Sequence, residues 1–174
     1  KADRQQKGLN GGIDLLDEHG RLVPEAYAVL EVVKAHDMVL ATGHISTKES
    51  MVLVEEARNM GIQRVVVTHA TTMSFYTGMT LEDMKTLAGM GAYIEHCIHV
   101  MMPLTNRLTP TELVETITSI GAENCIVSTD FGQDYHPMPP EGMRMGIATL
   151  LQAGMEEVEV GMLVKDNPSR LLGI

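Results

Sequence analysis

Hydrophobic and polar positions along the chain repeat one pattern four times. In each repeat, an apolar run of strand length is followed by a polar turn, an amphipathic helical stretch and a glycine. The apolar runs are rich in Val and Ile on both faces, which is typical of parallel strands whose sheet is covered by helices. The predicted strands are residues 37–43, 64–68, 92–98 and 124–129. The pattern therefore predicts an α/β fold with right-handed crossovers.

Local signals also mark where the helices begin and end. Capping-box spacing, a Ser or Thr followed three residues later by an acidic residue, begins at Ser46, at Thr109 and, more weakly, at Thr80. Pro110 stands at the first helical position after Thr109, where proline is favoured. Glycines, which adopt a positive φ at little cost, are expected to end three of the helices. These glycines are Gly61, Gly91 and Gly121.

Four β/α units fit two architectures, a small open sheet or half of an eightfold barrel. The length of 174 residues favours the open sheet, since a complete (β/α)₈ barrel needs about 250 residues. The chain begins at Lys1 with a polar, Gly-rich segment that is typical of the middle of a protein. We therefore expect residues 1–174 to form a single domain and an N-terminal part of the protein to lie outside this sequence.

Composition and charge exclude several classes of function. The net charge is −10 with only 13 Lys and Arg residues, which argues against nucleic acid as a partner. No apolar stretch approaches the roughly 18 residues that cross a bilayer, so we expect no membrane contact and a cytoplasmic location. Cys97 and Cys125 lie in apolar runs and are predicted to be buried free thiols rather than a disulfide.

Three potential metal ligands stand at the carboxyl ends of predicted strands. His44, His69 and Asp130 each follow an apolar run, at the edge where α/β enzymes place their active sites. Two imidazoles and a carboxylate suit Zn²⁺ or a similar divalent ion, which lowers the pKa of water to roughly 7. Asp130 is also the candidate catalytic residue, because a carboxylate beside that water can carry its proton to a leaving group.

A structural explanation competes with this one. A single histidine at a strand end is more often hydrogen-bonded within the fold than bound to a metal. Three such residues in equivalent positions have no shared packing reason, which favours the metal site. A non-catalytic α/β binding module, with the histidines bound to backbone groups, stays open as an alternative.

Further candidates lie on the third strand and after the fourth. Strand alternation directs Glu95 inward, where a charge needs a partner, a cation or a substrate. His96 faces the helices and would be a ligand only if the strand bulged, so a core histidine is favoured. His99 and Gln133 lie in loops of the same edge, where specificity is set. Glu95, His99 and Gln133 are therefore the candidate substrate-binding residues.

The stretches VLATGHIS, RVVVTHA, GAYIEHC, IVSTDFGQ and LVKDNPSRLLGI together resemble the C-terminal half of a metal-dependent hydrolase of the amidohydrolase superfamily. The resemblance runs from about residue 12 to the end. It implies a (β/α)₈ TIM barrel, of which this chain holds roughly the last four units. It also implies that His44 and His69 end the fifth and sixth strands as metal ligands. Asp130 would end the eighth strand, bind metal and shuttle protons.

The chain also departs from that superfamily, because it has no His-x-His motif of the kind found on the first strand. Either the parent chain supplies that motif upstream or a partner completes the site. One or two metal ions, Zn²⁺ in first place, remain open. We expect a small-molecule substrate with an amide, lactone or phosphoester bond, while decarboxylation on the same scaffold and a homo-oligomer stay open.

Overall fold

The computed structural model describes residues 13–105 and 107–174. In this part of the chain, four parallel strands form one sheet in chain order. The strands are β1 (Leu40–Ala41), β2 (Val65–Val67), β3 (Tyr93–Cys97) and β4 (Cys125–Ser128). The register pairs Leu40 with Val65, Val66 with Tyr93, and Ile94 with Cys125. The predicted α/β fold is confirmed, although each strand is shorter than its apolar run.

Helices precede, connect and follow these strands. They are α1 (Pro24–Ala35), α2 (Thr47–Asn59), α3 (Ala70–Thr77), α4 (Leu81–Gly89), α5 (Pro110–Ile120), α6 (Pro139–Gln152), α7 (Glu157–Gly161) and α8 (Asn167–Leu172). Short 3₁₀ turns cover Ile98–Met101 and Ala122–Asn124, and a π-helical turn, Met162–Asp166, joins α7 to α8. No helix among the described residues is both long and apolar enough to cross a membrane.

The predicted helix boundaries are confirmed in detail. Capping boxes form at Ser46, Thr80 and Thr109, where each hydroxyl accepts a hydrogen bond from the backbone three residues on. The acidic residue at that position binds the cap backbone in return, and each cap contributes about 1 kcal/mol. The three predicted glycines have positive φ angles: Gly61 at 87°, Gly91 at 92° and Gly121 at 100°.

The two faces of the sheet differ in how they are covered. The large core lies between the helices and the face that carries Val65, Val67 and Ile94. On the other face, Val66 and Ile126 meet only a small cluster around Leu171 of α8. Successive right-handed crossovers in strand order place their helices on one side, which explains this asymmetry. A closed eight-stranded barrel is not present in the described residues.

One asparagine fixes the C-terminal stretch LVKDNPSRLLGI to the sheet. Asn167 is fully buried, and its side-chain nitrogen donates to the carbonyl oxygens of Ala122 (2.8 Å) and Cys125 (2.7 Å). Arg170 donates to the Asn167 side-chain oxygen at 3.2 Å. Buried amide hydrogen bonds of this kind are costly to lose, so this residue fixes α8 against the start of β4.

Both cysteines are buried free thiols, as the sequence predicted. Burial raises the pKa of Cys97 well above its usual value and that of Cys125 to about 12. Because the thiolate is the reactive form, neither side chain is a nucleophile near neutral pH.

His96 lies on the helix-facing side of β3, where the sequence placed it as a core residue. Its side chain is fully buried, and neither ring nitrogen has a hydrogen-bond partner among the described residues. Burial lowers its pKa from 6.5 to about 3, since the protonated ring has no water or counter-ion there. His96 is therefore neutral in the folded protein.

Replacement of His96 by Leu should make the protein less sensitive to acid. His96 takes up a proton near pH 6.5 in the unfolded chain but only near pH 3 in the folded chain. The free energy of unfolding is therefore unaffected by this residue above pH 6.5 and falls as the pH drops from 6.5 to 3. At pH 5 this loss in the free energy of unfolding is about 2 kcal/mol. Urea unfolding at pH 7.5 and pH 5 measures it, with exposed His19→Gln as the control. An equal loss in H96L and the wild type would contradict this origin.

Candidate active site

Three side chains predicted from the sequence line one cavity at the carboxyl edge of the sheet. His44, His69 and Asp130 surround a space of about 470 Å³ together with His99. The rest of its lining comes from α3: Thr72, Met73, Tyr76 and Thr77. A larger cavity of about 650 Å³ shares His44, Tyr76 and Thr77 with it. The size suits a small molecule.

A reciprocal pair of threonines sets the spacing of the two histidine loops. The Thr68 hydroxyl accepts from the backbone N–H of Gly43, and the Thr42 hydroxyl accepts from that of Thr68, both at 3.0 Å. These side chains extend the pairing of β1 and β2 beyond the strands. The loops that carry His44 and His69 therefore stay in register after the backbone ladder ends.

The two imidazoles meet through the nitrogens that would bind a metal. The Nε2 atoms of His44 and His69 are 2.7 Å apart, and the ring centroids are 4.6 Å apart. This contact is a hydrogen bond in which one Nε2 donates and the other accepts. Two ligands of one tetrahedral zinc ion lie roughly 3.3 Å apart. The pair would have to open by about 0.6 Å to hold such an ion.

His69 is held in an unusual backbone conformation. Its φ angle is 31°, and that of Asp130 is 54°, both in the left-handed region that few non-glycine residues adopt. The Glu95 carboxylate accepts a hydrogen bond from the backbone N–H of His69 at 2.8 Å. Glu95 thus points inward, as predicted, and fixes the turn from β2 into α3. Strained residues of this kind cluster at functional sites.

His44, His69 and Asp130 fit a divalent ion in chemistry but not in placement. Two imidazoles and a carboxylate on one cavity are chemically suitable, and the two Nε2 atoms converge. However, no group of three or more His, Cys, Asp or Glu side chains in residues 13–105 and 107–174 is placed to hold a metal ion. The buried Nδ1 of His69 also lacks the hydrogen-bond partner that usually orients a ligating imidazole. Asp130 therefore shares the cavity without joining the convergent pair.

A second imidazole pair lies beside the cavity. His99 and His136 contact edge to face, with ring centroids 4.8 Å apart. The Nε2 of His99 is 3.1 Å from the Thr105 hydroxyl, and the His136 ring stacks on Phe131 with centroids 4.4 Å apart. His136 carried no role in the sequence analysis, because its place depends on the fold of the loop between β4 and α6.

Hydrogen bonding defines the proton position on His136. The Gln133 side-chain oxygen accepts from the backbone N–H of Gly132 (3.2 Å) and from Nδ1 of His136 (2.7 Å). Nδ1 therefore carries the proton, and the buried Nε2 is a bare acceptor with no partner among the described residues. Burial, together with neighbouring His99, lowers the pKa of His136, so this neutral form is favoured.

Of the three candidate substrate-binding residues, His99 is the one found among the described residues that line the cavity. Glu95 contacts the backbone of His69, and the amide oxygen of Gln133 contacts His136, so a substrate contact of Gln133 would have to come from its amide nitrogen. His19 and His36 are exposed, as expected. The contribution of α3 was missed, because its sequence, ATTMSFYT, is rich in β-branched threonine and carries no capping signal.

Comparison with known proteins gives one match. Residues 1–95 match DUF6282, a family of unknown function. That range covers more than half of the chain and includes His44, His69 and Glu95. No curated protein and no solved structure matches the chain. The chain belongs to the DUF6282 family, whose function is unknown.

Proposed function

We propose that this protein is a metal-dependent hydrolase that acts on a small molecule. The observation that carries the proposal is the convergence of the His44 and His69 Nε2 atoms, 2.7 Å apart, in a cavity that Asp130 also lines. His44 and His69 would hold a divalent ion, with Zn²⁺ as the first choice, and Asp130 would have to move to become a third ligand, since no group of three such side chains among the described residues is placed to hold an ion. When bound, such an ion polarises a carbonyl or phosphoryl oxygen and lowers the pKa of water.

The strand order supports the barrel architecture within this proposal. Four parallel strands in chain order, with no reversal among the described residues, follow the winding of a (β/α)₈ barrel. A doubly wound sheet would reverse its order at a switch point. We propose that the described strands are four units of such a barrel. A carboxyl-edge cavity is then the expected place for catalysis.

Two carboxylates at this edge of the sheet have distinct roles in the proposal. Asp130 would accept a proton from the attacking water and return it to the leaving group. Glu95 positions His69 through its backbone N–H. None of the described residues lining the cavity is Lys or Arg, which favours a weakly charged amide or lactone over a highly anionic substrate.

A non-catalytic binding module is the second candidate. It is favoured by the same 2.7 Å contact, because two neutral imidazoles satisfy each other there without an ion. Binding of Zn²⁺ separates the two candidates, since only the first requires it.

Replacement of His44 or His69 by Ala is expected to abolish zinc binding, because each change removes one of the two convergent nitrogens. After incubation with Zn²⁺ and desalting, the wild type should retain one or two ions per chain in elemental analysis and unfold at a higher temperature than chelated protein. The matched controls are exposed His19→Ala and His36→Ala, which should retain the metal. A wild type that retains none would refute the metal site and leave the binding module.

Replacement of Asp130 by Asn should lower hydrolysis by roughly 100-fold or more, because an amide cannot accept the proton. The measurement is turnover of a panel of small amides, lactones and phosphoesters by the zinc-loaded protein. Carboxylic acids in the same panel report decarboxylation. If D130N turned over every responsive substrate as fast as the wild type, the proposed role of Asp130 would be refuted.

The Glu95 variants distinguish a hydrogen bond from a charge. Glu95→Gln keeps an oxygen that can accept from the His69 N–H, so zinc affinity should stay within about threefold of the wild type. Glu95→Ala removes the acceptor and should weaken zinc binding by roughly 10- to 100-fold, as loss of a supporting group does. Competition with a fluorescent chelator measures both. Equal losses in the two variants would mean that the charge of Glu95 acts on the metal or substrate instead.

A further inference from the structure

A cleft at the opposite edge of the sheet gathers three arginines. It has a volume of about 330 Å³ and lies at the amino ends of β2, β3 and β4. Arg58 reaches it from the end of α2, Arg64 from the residue before β2, and Arg170 from α8. Its other lining residues are Gln63, Gly91, Ala92, Tyr93, Glu123, Asn124 and Leu171.

This grouping is unusual in so acidic a chain, which has 23 Asp and Glu residues against 13 Lys and Arg. Arg64 pairs with the exposed Asp37 at 2.6 Å. In contrast, neither Arg58 nor Arg170 has a carboxylate within ion-pair distance among the described residues. Their hydrogen-bond partners among the described residues are neutral oxygens: Arg58 donates to the Gln63 carbonyl at 3.0 Å and Arg170 to the Asn167 side chain at 3.2 Å.

Unused hydrogen-bond donors remain in the cleft. A guanidinium carries five N–H groups, and Arg58 and Arg170 each donate to described residues from one terminal nitrogen only. Arg64 has fewer to offer, because its terminal nitrogens bind Asp37 and the Leu172 carbonyl and its unpartnered Nε is buried. Glu123 also lines the cleft and brings one negative charge to it, but among the described residues its carboxylate forms no ion pair with the arginines and lies against Gly121. Three guanidinium groups around one cleft repel each other electrostatically, and an anion bound between them would offset this repulsion by its attraction to each group.

A glycine makes room for one of the arginines. A Cβ on Gly91 would stand 2.9 Å from Nη2 of Arg58, so any side chain there would displace the guanidinium. The positive φ of 92° also favours glycine at this position. The backbone between α4 and β3 thus admits Arg58 into the cleft.

We propose that this cleft binds the phosphate group of a small organic phosphate ester. Planar guanidinium forks match the oxygens of phosphate in a bidentate manner. The cleft volume of about 330 Å³ exceeds that of a bare phosphate and lies within the range of small-molecule sites. The site is separate from the histidine pair and independent of its chemistry.

Thermal unfolding of the full chain with glycerol 3-phosphate tests the proposal, with sodium chloride at matched ionic strength as the reference. A saturable rise of about 3 °C at tenfold excess over Kd is expected. Arg58→Gln should weaken binding at least tenfold, whereas Arg144→Gln, an exposed arginine paired with Glu141, should leave it unchanged. His44→Ala should also leave it unchanged, which separates this site from the proposed hydrolase centre.

The same unfolding measurement is made with inorganic phosphate and with acetate. Equal affinity for inorganic phosphate would support the site and identify free phosphate as the ligand, whereas preference for acetate would overturn the phosphate assignment. No rise beyond chloride, or an equal rise in R58Q, would overturn the site itself. If R58Q does not fold, the deciding variant is Arg170→Lys, which keeps the positive charge but loses the guanidinium fork. Phosphorus NMR then measures how far each protein broadens the line of the ester, and equal broadening by the variant and the wild type would refute the proposal.

Discussion

Two reciprocal hydrogen bonds between strand ends set the geometry on which the candidate site depends. The hydroxyls of Thr42 and Thr68 accept from the backbone of the neighbouring loop, so β1 and β2 stay paired after their ladder ends. Glu95 of β3 adds the next connection through the N–H of His69. Beyond the ends of β1, β2 and β3, side-chain hydrogen bonds thus replace backbone pairing. They hold the loops after β1 and β2 close enough for the two imidazoles to be in contact. A shift of one residue in this register would separate them.

The two edges of the sheet have opposite chemical character, although the same strands build both. Histidines and Asp130 line the carboxyl-edge cavity without a Lys or Arg among its described lining residues. Arginines gather at the amino edge, where α8 returns to the sheet. In parallel strands the two edges are separated by the full strand length, so charge at one edge is largely screened from the other. Under the two proposals, a ligand at one edge would therefore interact only weakly with a ligand at the other.

Much of this fold could be predicted because its signals are local. The strands, capping boxes and terminal glycines each depend on a few neighbouring residues, and the three residues at strand ends follow from parallel topology alone. The partners of those residues depend on tertiary contacts. The threonine-rich sequence of α3 carries no helical signal, yet it supplies half of the cavity lining. Similarly, the tautomer of His136 depends on how Gly132 turns the Gln133 amide, which no sequence pattern encodes.

Two candidate site residues at the carboxyl edge have strained backbone conformations. His69 and Asp130 occupy left-handed conformations that cost roughly 1–3 kcal/mol each. Glycine would adopt this conformation without strain, although aspartate and histidine are among the residues that tolerate it best. The hydrogen bond from the backbone N–H of His69 to Glu95 contributes about 1.5–3 kcal/mol, which is enough to offset the strain at His69, but glycine at this position would make the same backbone bond. Neither side chain is needed for that backbone bond, so the choice of histidine and aspartate at these two positions is what the proposed chemical role would explain.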